Sequence, residues 1–131
     1  MPQRRILIVD DQADIRRLVR FALQDGDFAL FEAANGELAL RIAQVARPDL
    51  VVLDQHMPGQ LDGLQVLQAL RANAAHAHAL VIMLTANSEA TYRQAAAEAG
   101  VNYFLTKPFA PAKLRQLVEV MLRAAPPSAE Q

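Results

Sequence analysis

Short aliphatic runs that end on a polar residue and give way to a helically spaced segment recur along the whole chain, and this alternation restricts its fold more than any other feature. Ile6-Leu7-Ile8-Val9 closes on Asp10-Asp11, Leu50-Val51-Val52-Leu53 on Asp54, and Leu80-Val81-Ile82-Met83-Leu84 on Thr85. A run without polar alternation is what a parallel strand shows when helices cover both its faces. Phe28 to Glu32 reads as a short second strand and Tyr103-Phe104-Leu105 as the last, followed by Lys107-Pro108. Between them, Ile15, Leu18, Val19 and Ala22 fall at helical spacing, as do Leu38, Ile42 and Val45, then Leu64, Leu67 and Leu70, and finally Leu114, Leu117, Val118 and Met121. An alanine-rich segment from about Glu89 to Ala99 supplies the fourth helix, with few large anchors. Asp25-Gly26 and Gly100 are helix stops, glycine being suited to the left-handed position past a helix end, and Pro48 ends the second helix. Pro58-Gly59 and Asp62-Gly63 mark a loop.

Alternation of this kind implies an α/β fold, and right-handed crossovers make a doubly wound five-stranded parallel sheet the simplest arrangement. A closed barrel would need about eight such units. The 131 residues suit one domain, and with 53% hydrophobic against 21% charged residues the chain can bury a core. Residues 1–123 are expected to form that domain, and the polar, proline-bearing 124–131 a tail or the start of a linker.

Thirteen basic residues nearly balance fourteen acidic ones, so no bulk charge draws the chain to nucleic acid or to an acidic membrane surface. Arg4, Arg5, Arg16, Arg17 and Arg20 read as solvated surface. Cysteine is absent, which excludes disulfides and thiolate metal sites. The apolar runs are too short to span a bilayer, and a cytoplasmic protein is the default expectation.

In open α/β sheets, ligands sit beyond the carboxyl ends of the strands, near the point where strand order reverses. Those positions hold Asp10 and Asp11 after the first strand, Asp54 after the third, Thr85 after the fourth and Lys107 just after the fifth. Three carboxylates meeting in one cleft repel one another, which favours protonation or a bound cation. Magnesium (Mg2+) suits such a cleft, because it takes a few oxygen ligands plus waters and commonly completes its octahedron with phosphate oxygens. A carboxylate can attack phosphorus, provided that cations and donors hold the entering phosphoryl oxygens, and Thr85 and Lys107 are donors of that kind. Taken singly, each aspartate is more often a helix cap, the lysine a solvated charge and Phe104 plain core. Their joint placement argues for chemistry. His56, His76 and His78 read as exposed loop residues.

Asp10-Asp11, the segment Asp54-Gln55-His56-Met57-Pro58-Gly59, Leu84-Thr85-Ala86 and Lys107-Pro108-Phe109 together resemble the response-regulator receiver domain in order, spacing and placement, over roughly residues 5 to 123. The resemblance implies a flavodoxin-like sheet of strand order 2-1-3-4-5. It implies Asp54 as phosphoacceptor, with Mg2+ held by Asp11, Asp54 and the backbone carbonyl of His56, and with Asp10 acting largely through water. Thr85, Ala86 and Lys107 would contact the phosphate, with the bond from Lys107 to Pro108 in the cis form. Thr85 and Phe104 would form the switch that alters the face made by the fourth helix, fifth strand and fifth helix. The implied partners are a sensor histidine kinase or phosphotransfer protein and a downstream protein or output domain, with a homodimer left open. No nucleic acid or membrane contact is implied, nor enzymatic turnover beyond self-catalysed phosphotransfer and autodephosphorylation.

Three features depart from the usual pattern. Phe104 stands where the family often has tyrosine, Gln60-Leu61 makes the loop after Gly59 one residue longer, and His56 and Asn87 fill the two variable positions beside the path of a hydrolytic water. Two other readings compete. A magnesium-dependent aspartyl-phosphate phosphohydrolase would share the acidic cleft, although haloacid-dehalogenase-like enzymes carry Asp-x-Asp where this chain has Asp10-Asp11-Gln12. A docking-only receiver would keep the fold without the chemistry.

Overall fold

The computed structural model describes residues 3–57, 59–86 and 90–124. Strands and helices alternate throughout: β1 (Arg4–Val9), α1 (Ala13–Leu23), β2 (Phe28–Ala33), α2 (Gly36–Ala46), β3 (Leu50–Asp54), α3 (Gly63–Ala72), β4 (Leu80–Thr85), α4 (Ala90–Glu98), β5 (Tyr103–Thr106) and α5 (Pro111–Ala124). The five strands form one parallel sheet in the order β2-β1-β3-β4-β5. The strand order therefore reverses between β1 and β3.

Every residue of β3 is buried, and so are the last four of β1. Helices on both faces are the reason. Ile6, Ile8, Val52, Ile82 and Leu84 point to the side covered by α1 and α5, where Val19, Leu23, Leu114 and Val118 meet them. The alternate residues Leu7, Val9, Val51, Leu53, Val81 and Met83 point the other way, onto Ala39 and Ala43 of α2, Val66, Leu67 and Leu70 of α3, and Ala96 of α4. Burying an aliphatic side chain of this size stabilises by about 1.5–3 kcal/mol, so the strands are anchored from both sides. Ala96 is the only buried residue of α4, which makes that helix the most lightly held.

Capping fixes the helix starts near the strand ends. Asn35 accepts from the Leu38 N–H at 2.8 Å, and Asp62 and Gln65 form a reciprocal capping box. Asp62-Gly63 thus opens α3 rather than sitting inside a loop. At Gly63 a Cβ would run into the Asp54 carbonyl oxygen, and its N–H donates to Gln55 O at 3.0 Å. Only glycine lets the start of α3 close so tightly on the end of β3.

Several local expectations are corrected. Gly100 does take the left-handed conformation after α4, but Gly26 does not. Gly26 is needed for space, since a Cβ there would meet the Phe28 ring. The second helix ends instead on Arg47 in left-handed geometry just before Pro48. His76 is buried, not exposed, because the turn after α3 folds it inward, whereas His78 is exposed. α5 runs through Ala124, one residue into the expected tail, and 125–131 lie outside the described residues. Pro58, Asn87 and Glu89 lie outside them as well.

Candidate functional site

The reversal point brings the carboxyl ends of β1 and β3 side by side, with Val9 opposite Leu53 and therefore Asp10 beside Asp54. Asp10 is completely buried and Asp54 is 5% exposed, while Asp11 stays in contact with solvent. One carboxylate oxygen from each of the three lies within 4.8 Å of the others. Lys107 reaches in from the loop after β5, where its N–H donates to Thr85 O at 2.8 Å and its peptide bond to Pro108 is cis. The Lys107 ammonium donates to Asp10 at 3.2 Å and to Asp54 at 3.1 Å. Two backbone amides complete the acidic pair: Gln12 N–H donates to Asp10 at 2.9 Å, and His56 N–H donates to Asp54.

Burial pushes the Asp54 carboxyl up, and repulsion from Asp10 adds to it; Lys107 and the His56 N–H oppose both, leaving the group at about 6. For Lys107, burial alone would lower the ammonium, but the Asp54 and Asp10 carboxylates outweigh it and hold the lysine above its ordinary value. Three carboxylates against one ammonium leave the cluster negative. An open cleft of about 570 Å³ adjoins it, lined by Asp11, His56, Met57, Gly59, Asp62 and Gln65. Clustered carboxylate oxygens beside an open, oxygen-rich cleft fit a hard divalent cation that keeps part of its water shell, and Mg2+ meets that description. His56 lies on the same cleft.

The remaining candidates surround this centre. Thr85 ends β4 almost fully buried, its hydroxyl donating to the Gln55 side-chain oxygen. Ala86 follows it at the surface. Phe104 of β5 is partly buried against the core, with the Arg93 guanidinium 4.9 Å from its ring centroid. The neighbouring Tyr103 faces solvent.

Comparison with known proteins supplies the family. The model of the response regulator receiver domain matches residues 6–119. The chain belongs to the response-regulator receiver family. It is 40% identical over 121 residues to the transcriptional regulatory protein ResD of Bacillus subtilis (strain 168), which covers 92% of this chain and 49% of that protein. It is 36% identical over 126 residues to the phosphate regulon transcriptional regulatory protein PhoB of Klebsiella pneumoniae, covering 96% and 55%. This receiver thus spans about half the length of the curated relatives it matches. The chemotaxis response regulator CheY4 of Vibrio cholerae superimposes with a TM-score of 0.84 at 31% identity, covering 91% of this chain and 98% of CheY4. The shared fold includes the strand order 2-1-3-4-5.

Within the receiver, four contributors were not legible in the motifs. Arg16 is no surface decoration: it donates to the Asp10 carbonyl oxygen at 2.6 Å and to Glu32 at 3.1 Å, tying the loop after β1 to β2. Arg20 bonds the other Glu32 oxygen, and the two guanidiniums hold that carboxyl below its ordinary value. Glu37 accepts from Gln60 N–H at 3.1 Å, so the loop after Gly59 is tied to α2. Gln55 is buried and bonded to Thr85. A basic residue six positions past an acidic strand end is the only sequence trace of the Arg16 contact.

Proposed function

We propose that this receiver accepts a phosphoryl group on Asp54 in a magnesium-dependent reaction and relays the change to a protein partner. The observation that carries the reading is the Lys107 ammonium bridging Asp10 and Asp54 within a cluster that also contains Asp11. Asp11 and Asp54, with the His56 carbonyl, would hold Mg2+ directly, and Asp10 largely through water. When bound, the ion offsets charge on the phosphoryl oxygens.

One Asp54 carboxylate oxygen attacks phosphorus and the bond from phosphorus to the donor breaks. With a phosphohistidine of a sensor histidine kinase or phosphotransfer protein as donor, the ring nitrogen leaves with the electron pair and takes a proton from solvent. Lys107 follows the charge from carboxylate to phosphoryl oxygen, the role of a compact cation on a flexible stem. The Thr85 hydroxyl and the Ala86 N–H supply further donors. Movement of Thr85 and Phe104 then alters the surface of α4, β5 and α5, and the light anchoring of α4 supports it as the movable part. The readout is a downstream protein or output domain, in the cytoplasm. Among the described residues, no helix is long and apolar enough to cross a membrane.

Borohydride reduction after exposure to acetyl phosphate and Mg2+ tests the acceptor, because it converts an aspartyl phosphate to homoserine. Peptide mapping is expected to find that conversion at Asp54; conversion at another residue, or at none, overturns the proposal. Sustained turnover of small phosphate esters would instead favour the phosphohydrolase.

A further inference from the structure

Gln55 sits at 3% exposure directly after the proposed phosphoacceptor, a burial at which an uncharged polar side chain is costly unless bonded. Its backbone is held from two sides, the N–H donating to Leu84 O at 2.9 Å and the carbonyl accepting from Gly63 N–H at 3.0 Å. The side chain therefore projects from a fixed base between β3, β4 and α3. Its amide oxygen accepts from the hydroxyl of Thr85, which is 1% exposed. An apolar residue at this position would need no such bond for itself but would take this acceptor from the buried Thr85 hydroxyl, so the amide ties position 55 to Thr85.

We propose that Gln55 is a latch on Thr85 that sets the threshold for switching, an inference that rests on Asp54 being the phosphoacceptor. A threonine hydroxyl has one proton to donate. A phosphoryl group on Asp54 brings new acceptor oxygens to the strand ends, and the proton that serves Gln55 in the resting protein cannot also serve them. Release of Thr85 leaves the buried Gln55 oxygen without that donor, so the resting arrangement is favoured until phosphorylation outweighs the exchange. The Thr85 hydroxyl is then the element with two alternative partners, and residue 55 biases its equilibrium. A net buried hydrogen bond corresponds to about a threefold to tenfold bias.

The test uses the full chain with Mg2+ and beryllofluoride, a stable phosphoryl mimic, and reads the apparent Kd by amide NMR titration. Gln55→Met, close in shape but lacking the amide acceptor, is expected to bind the mimic about threefold to tenfold more tightly than the unsubstituted protein. In a Thr85→Val background the same substitution is expected to change nothing. Unchanged or weaker binding in Gln55→Met overturns the latch, and so does an equal gain in the Thr85→Val background, which would assign the effect to packing alone. Gln55→Leu repeats the comparison if Gln55→Met does not fold. A direct reading needs no variant: in the unsubstituted, metal-free protein the Thr85 hydroxyl proton should show a nuclear Overhauser contact with the Gln55 side-chain amide that disappears with the mimic. Absence of the contact at rest, or its persistence with the mimic bound, overturns the latch while leaving the phosphoacceptor reading intact. If the unsubstituted protein does not bind the mimic at all, that earlier reading fails and the latch with it.

Discussion

The Arg16 guanidinium donates to the backbone carbonyl of Asp10 at 2.6 Å while its other edge is paired with Glu32. A side chain on α1 thereby fixes the strand end that delivers the most buried carboxylate of the site. Arg16→Ala should cost about 1–3 kcal/mol of stability, because it takes the guanidinium donor from the Asp10 carbonyl and leaves the partly buried Glu32 carboxylate with Arg20 as its one remaining guanidinium partner among the described residues. Arg16→Lys should recover only part, since an ammonium lacks the planar fork that spans both acceptors. Urea denaturation measures both. Equal stability of Arg16→Ala and the parent would remove the clamp from the account.

Glu32 is held below its ordinary value by Arg20 and Arg16, so its contribution to stability is present above the unfolded-state value and is lost as pH falls through the lower, folded-state one. Asp54 has the opposite sign. Its carboxyl is raised from 3.8 to about 6, so the folded state prefers the protonated form, and the associated stability is lost as pH rises through that window. In metal-free protein, Asp54→Asn should therefore gain stability over the parent as pH rises from about 4 to 7, on the order of 2 kcal/mol. Thermal melts across that range test this, and parallel profiles for the two proteins would contradict it.

Lys107→Ala removes the only ammonium among the described residues that pairs with Asp10 and Asp54. Magnesium affinity should be retained or increased, since a competing positive charge has gone, while phosphoryl uptake should fall by at least about tenfold for lack of a charge-assisted donor. Isothermal titration with Mg2+ and the initial rate of adduct formation separate the two effects. Loss of magnesium affinity would show that the lysine instead shapes the carboxylate cluster.

Gly63→Ala places a methyl group against the Asp54 carbonyl oxygen. Overpacking of this kind costs about 1–3 kcal/mol, and the displacement falls on the residue proposed to react. A lower melting temperature together with slower phosphoryl uptake is expected. A variant with the parent's stability and rate would mean that α3 can retreat without disturbing β3.

The sheet was legible because parallel strands covered on both faces leave unbroken aliphatic runs, and β3 with all of Leu50, Val51, Val52, Leu53 and Asp54 buried is the plainest case. Asp10, Asp11, Asp54 and Lys107 stood out because a polar residue at the end of such a run needs a reason, and the fold gathers them at one point. Arg16, Gln55 and Glu37 did not. Their partners lie on other elements, such as Thr85 thirty positions beyond Gln55, and residue type alone does not tell a bonded, buried polar group from a solvated one. His76 and Gly26 were misread for a related reason: the fold of a turn and the nearby Phe28 ring decide their environment, and neither is a periodic feature.

Magnesium-dependent phosphoryl uptake at Asp54 is most directly tested by intact-protein mass after incubation with acetyl phosphate, for the parent with Mg2+, the parent with a chelator, and Asp54→Asn with Mg2+. A single phosphoryl adduct, sensitive to hydroxylamine, is expected in the first sample alone. An adduct of equal yield in Asp54→Asn, or one indifferent to the chelator, would contradict it.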